Sequence, residues 1–197
     1  QIIGGLTSEV LDRLSKRKAM RDSGRSLEAK KIYRSQEIKA FNPQELKIEL
    51  DELVLESGIQ PYLHTYFSEP YLDDDNRLAG VIIDNKAGRG IIKANYFIDA
   101  TGDGDLCYRL GLESYSGDLL QPPTTCALFE GWDSDRFHSL LKLHGEEFNI
   151  PEGYIWGAGI PNTNIQLLAG TRVYDVNCII PEDLTKAEIE GRRQIRA

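Results

Sequence analysis

The densest run of side chains able to do chemistry is Asp99-Ala100-Thr101-Gly102-Asp103-Gly104-Asp105. It follows the apolar stretch Tyr96-Phe97-Ile98, which reads with it as a buried strand over 96–100. Leu106-Cys107-Tyr108-Arg109-Leu110 then favours a short helix, ended by Gly111. A strand, a glycine turn and a helix start expose backbone N–H groups to an anion. Ligands of open α/β sheets also bind at the carboxyl ends of strands. Gly102 and Gly104 would let a ligand approach the backbone closely. Asp103 or Asp105 could accept a hydrogen bond from a sugar hydroxyl. A carboxylate does not sit on an unshielded phosphate, so a ligand must offer hydroxyls there or a metal must intervene. A two-metal carboxylate site lacks a histidine or a second acidic cluster to support it. An innocent strand-to-glycine turn is the plain alternative.

Other reactive residues offer less. His64 lies on an expected strand and reads as structural. His138 and His144 are six apart, the wrong spacing for one metal face, and no H-E-x-x-H is present. Cys107 could be an activated thiol at a helix start, but its apolar neighbours favour a buried, inert cysteine. The acidic run Asp73-Asp74-Asp75-Asn76 lacks the spaced oxygen ligands and distal glutamate of a calcium loop, so it reads as a turn. The basic run Lys16-Arg17-Lys18 reads as a solvated helix end rather than a phosphate contact. Gly153-Tyr154-Ile155-Trp156-Gly157-Ala158-Gly159 fits a pocket wall, a carbohydrate platform or a packed loop. G-x-S-x-G, C-x-x-C and G-x-x-x-x-G-K are all absent, which leaves hydrolase and kinase readings without support.

The elements that must position these residues are legible in outline. Val10, Leu11 and Leu14 predict a helix over 7–18, capped by Thr7 or Ser8. Residues 25–36 carry no clear signal. The strongest helix is 42–57. Asn42 is the N-cap, Pro43 takes the first helical position, Glu45 completes a capping box, and Phe41 and Leu46 form a staple. Its expected buried stripe is Leu46, Leu50, Leu53 and Val54, with Glu49 and its acidic neighbours in water. Gly58 ends it. Runs at 59–67, 78–83 and 91–94, joined by two polar loops, predict an antiparallel meander.

Composition shifts after Gly111. Residues 124–130, 163–169 and 171–179 are strand candidates, and Asp133 or Ser134 opens a helix. Residues 145–161 read as loop. A last helix is expected to start at Thr185, boxed by Glu188 and stapled by Leu184 and Ile189. The expected division is therefore 1–111 and 112–197.

With 197 residues and 41% hydrophobic side chains the chain is ordinary for a folded domain. Its formal charge of -8 argues against holding nucleic acid by its overall field. No apolar run is long enough to span a membrane. Three scattered cysteines suit a reducing compartment, and a cytoplasmic location is expected. The start at Gln1, directly on an apolar and glycine run, predicts a segment of a longer chain.

Several stretches together resemble a known family. They are Phe41-Asn42-Pro43-Gln44-Glu45-Leu46-Lys47, Gly58-Ile59 with Leu63-His64-Thr65, the meander, and Phe97 through Asp105. The chain resembles FAD-dependent oxidoreductases of the glutathione-reductase-like superfamily, in particular the group whose second flavin motif reads A-T-G-D-G-D. The segment from Asp183 to Arg193 is similar to that group as well.

The resemblance implies an α/β fold. Residues 1–111 would be part of a three-layer FAD/NAD(P)-binding domain containing the meander, and 112–197 would begin a second, α+β substrate-type domain. It implies FAD as cofactor of the parent protein and a small-molecule substrate. Thr65, Tyr66 and Phe67 would pass the adenine by backbone contacts. Thr101, Gly102, Asp103 and Gly104 would lie near the dinucleotide. The family's opening strand and G-x-G-x-x-G do not occur here, and Ile3-Gly4-Gly5-Leu6 is not that motif. On this reading the chain is an internal fragment that does not retain FAD by itself, and an uncovered sheet edge would be met by a dimer, by a neighbouring molecule in a crystal or by flanking parts of a longer chain. The alternative is a non-catalytic ligand-binding or structural α/β domain. Catalytic residues are not assigned.

Overall fold

The structure is a computed structural model. It describes residues 4–22, 39–113, 115, 120–131, 133–148, 150 and 156–197. In chain order its elements are α1 (Leu6–Lys16), β1 (Met20–Asp22), β2 (Lys39–Phe41), α2 (Pro43–Glu56), β3 (Tyr66–Leu72), β4 (Leu78–Asn85) and β5 (Gly88–Lys93). They continue with α3 (Asp105–Arg109), β6 (Cys126–Glu130), α4 (Ser134–His144), a 3-10 turn (Gly145–Phe148), β7 (Trp156–Gly159), β8 (Ile165–Ala169) and α5 (Pro181–Arg196). The fold is mixed α/β, and every strand pair among the described residues is antiparallel. Two compact units result: Gly58–Asp118, and Gln1–Ser57 together with Leu119–Ala197.

The 58–118 unit is built on the expected meander, in the order β3-β4-β5. Phe67 pairs with Ile83 and Ile82 with Ile91, so β4 carries a half-buried apolar run between its neighbours. Its turns are made by side chains. Asp73 Oδ1 accepts the N–H groups of Asp75 (3.0 Å) and Arg77 (2.9 Å), and Asn85 Oδ1 accepts that of Ala87 (2.9 Å). These are Asx turns, in which a short carboxylate or amide replaces a backbone partner.

Two strand expectations in this unit are corrected. Residues 59–65 are not strand; β3 starts only at Tyr66. His64 takes a left-handed φ of 52°, and the Thr65 hydroxyl donates to the Leu63 carbonyl, so the chain turns before it extends. Residues 96–100 do not form the buried strand read from their apolar pattern. Tyr96 is 90% and Ile98 91% exposed, and no described strand pairs with this segment. An apolar run becomes a strand only where a neighbour takes its N–H and C=O groups.

In the other unit α2 starts as expected. Asn42 Oδ1 accepts the N–H of Gln44 at 3.0 Å, and Pro43 follows it. Its buried face matches the expected stripe only in part: Leu46, Leu53 and Val54 are half-buried, but Glu49 and Leu50 have changed places. Glu49 is 3% exposed, whereas Leu50 is 41% exposed. The reason is the partner. α1 packs on α2, and it brings Arg17 Nε to 2.8 Å from Glu49 and Arg13 Nη1 to 3.1 Å from Glu56. A carboxylate is held in the interior only when a charge meets it. Leu14 and Ala19 are the most buried apolar residues of this region. α1 follows Gly5 as N-cap, so Thr7 and Ser8 fall inside its first turn rather than capping it.

β6, β8 and β7 form the remaining three-stranded sheet in that order. β7 lies in the 145–161 stretch read as loop. α4 opens on Asp133, whose Oδ1 accepts the Arg136 N–H at 3.0 Å, as expected. Residues 171–179 form no strand, and side chains take the place of a ladder. The buried Thr171 hydroxyl accepts the Thr125 N–H at 2.6 Å and donates to the Thr125 carbonyl at 3.1 Å. The buried Gln194 amide accepts from the Arg172 N–H and donates to the Arg172 carbonyl, both at 2.9 Å. Val173 and Val176 meet Ala187 of α5 beneath this clamp. α5 begins at Pro181, not Thr185. Proline suits the first helical position, and Glu182 and Asp183 suit the first turn. Thr185 instead donates to the Pro181 carbonyl at 2.8 Å. The 25–36 stretch and residues 153–155 of the aromatic loop lie outside the described residues.

Candidate functional site

The polar loop after Ile98 is ordered by one carboxylate. Asp99 Oδ1 accepts the Thr101 N–H (3.1 Å) and the Thr101 hydroxyl (2.7 Å), and Asp99 Oδ2 accepts the Cys107 N–H (3.0 Å). The Thr101 oxygen in turn accepts the Asp105 N–H at 2.9 Å. Two side chains therefore satisfy four donors and fold residues 99–107 into a closed turn leading into α3. Gly104 is the N-cap of α3 with φ 74°, and Gly102 has φ 96°. Both values lie where only glycine is unstrained. A Cβ built on Gly102 would meet nothing within 4 Å, so the backbone is open on that side.

The electrostatics follow from these bonds. The Cys107 N–H, then the Thr101 hydroxyl and N–H, hold the Asp99 carboxyl well below the usual carboxylate range. Each of these donors favours the charged form. Hydrogen bonding to Asp99, with desolvation second, pushes the half-buried Cys107 thiol up from its ordinary value. That is the opposite of an activated thiolate. The sequence points to the cluster but not to Asp99 as its organiser. The signal available was its spacing: two residues before a threonine and eight before the helical N–H it caps.

Each expected site residue has a definite place. Thr101 and Gly104 shape the turn. Asp103 is exposed and carries no hydrogen bond or ion pair among the described residues. Thr65 is half-buried and bonded to Leu63; Tyr66 is 77% exposed and pairs with Asp84; Phe67 is half-buried. α3 packs against β3, so the loop's helix and the strand holding Tyr66 and Phe67 belong to one compact unit. The histidines lie elsewhere. His144 Nδ1 is 2.8 Å from Glu147, and His138 stacks edge-on near Phe137. Among the described residues no group of His, Cys, Asp or Glu is arranged to hold a metal, and no helix is long and apolar enough to cross a membrane.

The loop leaves acceptor groups on its outer side. An open glycine backbone beside an unengaged carboxylate accepts hydrogen bonds from hydroxyls, as a ribose or ribityl chain would offer. The Asp105 and Cys107 N–H groups are already taken by Thr101 and Asp99, so these two do not face a ligand. Compared with known proteins, residues 1–197 match the model of a family described as FAD dependent oxidoreductase. No curated protein and no solved structure matches the chain.

Proposed function

The chain belongs to the FAD dependent oxidoreductase family, and from that premise we propose that it supplies part of the flavin site of an oxidoreductase acting on a small molecule. Residues 1–111 serve the cofactor side, with a partial FAD-binding architecture, and 112–197 begin the substrate side. Asp103 accepts hydrogen bonds from cofactor hydroxyls. Thr101, Gly102 and Gly104 shape the backbone that the cofactor approaches. The backbone of Thr65, Tyr66 and Phe67 lines the adenine side. FAD, when bound, supplies the hydride or electron transfer, while the protein orients it.

One observation carries this reading. Asp99 and Thr101 are engaged inward, and Asp103 is left exposed and unengaged beside an open Gly102. The test is flavin content in the full-length protein. Asp103→Ala removes a charge-assisted hydrogen bond and should weaken retention by roughly 1.5–3 kcal/mol, measured by absorbance after dialysis. Equal occupancy in the two proteins would overturn the assignment of Asp103. A second reading, a non-catalytic binding or structural domain, rests on the absence of G-x-G-x-x-G from residues 1–197. It predicts no flavin spectrum in either protein.

A further inference from the structure

We propose that the outer stripe of α5 is a self-pairing surface, on which a second copy of this chain lays its own α5 antiparallel about a two-fold axis. An open groove of about 750 Å³ runs beside that helix, lined by Tyr174 and Asp175 and by Glu182, Lys186, Ile189 and Arg193 of α5. The side of α5 that meets its own unit is already used: Ala187, Gly191 and Gln194 are buried. The groove side is not, for Tyr174 is 49% and Ile189 46% exposed.

Charge identifies the occupant. Glu182, Lys186, Ile189 and Arg193 follow one another at four, three and four residues, the spacing that keeps one stripe of a helix on a partner helix. Reversed and laid against itself, the stripe is complementary. Glu182 falls opposite Arg193 of the second copy, and Lys186 falls opposite Ile189 with Glu190 beside it. A two-fold axis makes each contact twice. The lysine stems then cover Ile189 while their ammonium groups meet Glu190. A parallel arrangement would set like charge on like. The charges are free to pair in this way. Among the described residues Glu182 and Lys186 have no ion-pair partner. Arg193 reaches Glu190 at 3.7 Å, whereas Arg192, off the stripe, is closed onto Glu188 at 2.6 Å. Exposed ion pairs are individually weak, so the pattern chooses the partner and its direction more than it adds affinity.

The test is charge reversal in the full-length protein, read by sedimentation velocity over a concentration series. The parent should form a dimer that weakens as NaCl is added. Glu182→Lys and Arg193→Glu each set like charges together twice per dimer, and each should weaken dimerisation about tenfold or more. The double variant restores opposite charges and should recover the dimer. The two single variants, mixed one to one, should also form a mixed dimer, because one copy then presents two bases and the other two acids. A folding defect in either variant produces neither recovery. If a single variant does not fold, Lys186→Glu and Glu190→Lys repeat the same exchange at the inner pair. A parent that stays monomeric across the series overturns the proposal, as it would if another part of the chain covers this face. A dimer unaffected by both single reversals overturns it as well, since the contact then uses another surface such as a sheet edge. Loss of the dimer in the single variants without recovery in the double variant or the mixture overturns it too, because the charges would then serve the fold of α5 alone.

Discussion

The Asp73–Arg77 and Asp99–Cys107 loops are built on the same device and end in opposite states. In both, an aspartate bends back to accept N–H groups ahead of it in the chain: Asp75 and Arg77 in the first, Thr101 and Cys107 in the second. In both, this holds the aspartate below the ordinary carboxylate range. The first loop then closes its electrostatics on itself. Arg77 reaches Asp75 and lies 3.4 Å from Asp73, and Asn76 supplies the left-handed residue. The second uses glycine where the first uses asparagine, and no cation among the described residues meets Asp103. An acidic run that brings its own arginine is a turn, whereas one that leaves a carboxylate beside an open backbone has a ligand's partner to spare.

The contrast can be broken in four ways. The widest difference should appear between Asp103→Ala and Asp75→Ala in flavin retention. The first should lose roughly 1.5–3 kcal/mol and the second nothing measurable by equilibrium dialysis. Equal effects would mean that the two loops do not differ in ligand engagement. Next, Gly104→Ala should cost about 1–2 kcal/mol in urea unfolding, because φ 74° is left-handed and a Cβ is strained there. A loss below about 0.3 kcal/mol would show that the turn relaxes without its glycine.

Acid titration compares the two organising carboxylates directly. Both are depressed in the folded state, so the stability they confer is complete above the unfolded value of about 3.9 and is lost as pH falls through the folded value. Asp99→Asn and Asp73→Asn should therefore be less stable than the parent near neutral pH, with the gap closing as pH drops below about 4. The gap should be wider for Asp99, the more strongly depressed of the two. A gap independent of pH would mean that neither charge is used. The smallest effect belongs to Asn76→Gly. Asparagine already tolerates φ 62°, so melting should shift stability by less than about 0.5 kcal/mol.

Much of the fold was readable where the cause is local. The Asn42-Pro43 cap, the Asp133 cap and both meander turns depend on residues within a few positions, and each forms as expected. What failed depends on partners distant in sequence. The apolar periodicity of α2 points to Leu50, but Arg17, just past the end of α1, claims the Glu49 face instead. At 96–100 the strand pattern was present without a described neighbour to pair with it. At the last helix two start signals competed, and Pro181 prevailed over Thr185. β1 and β2 escaped notice because they are three residues each, separated by the stretch 23–38. The candidate site was legible as a cluster of polar residues in a glycine turn. The division of labour between Asp99 and Asp103 was not, because it depends on which oxygen points at which N–H.

The Gln194 clamp makes a polar helix position as exacting as a core one. Its carboxamide gives the Arg172 backbone one acceptor and one donor in a single plane, as a neighbouring strand would. Glutamate offers no donor at neutral pH, methionine offers only a weak acceptor, and leucine offers neither. Each would strand half-buried backbone groups, the costly half of a hydrogen bond. In a library of random variants, position 194 should therefore show a narrow tolerance profile, with glutamine favoured over both more polar and more apolar side chains. An alignment scored on hydrophobicity would treat this glutamine as interchangeable surface, although it carries the information that fastens α5 to the chain after β8.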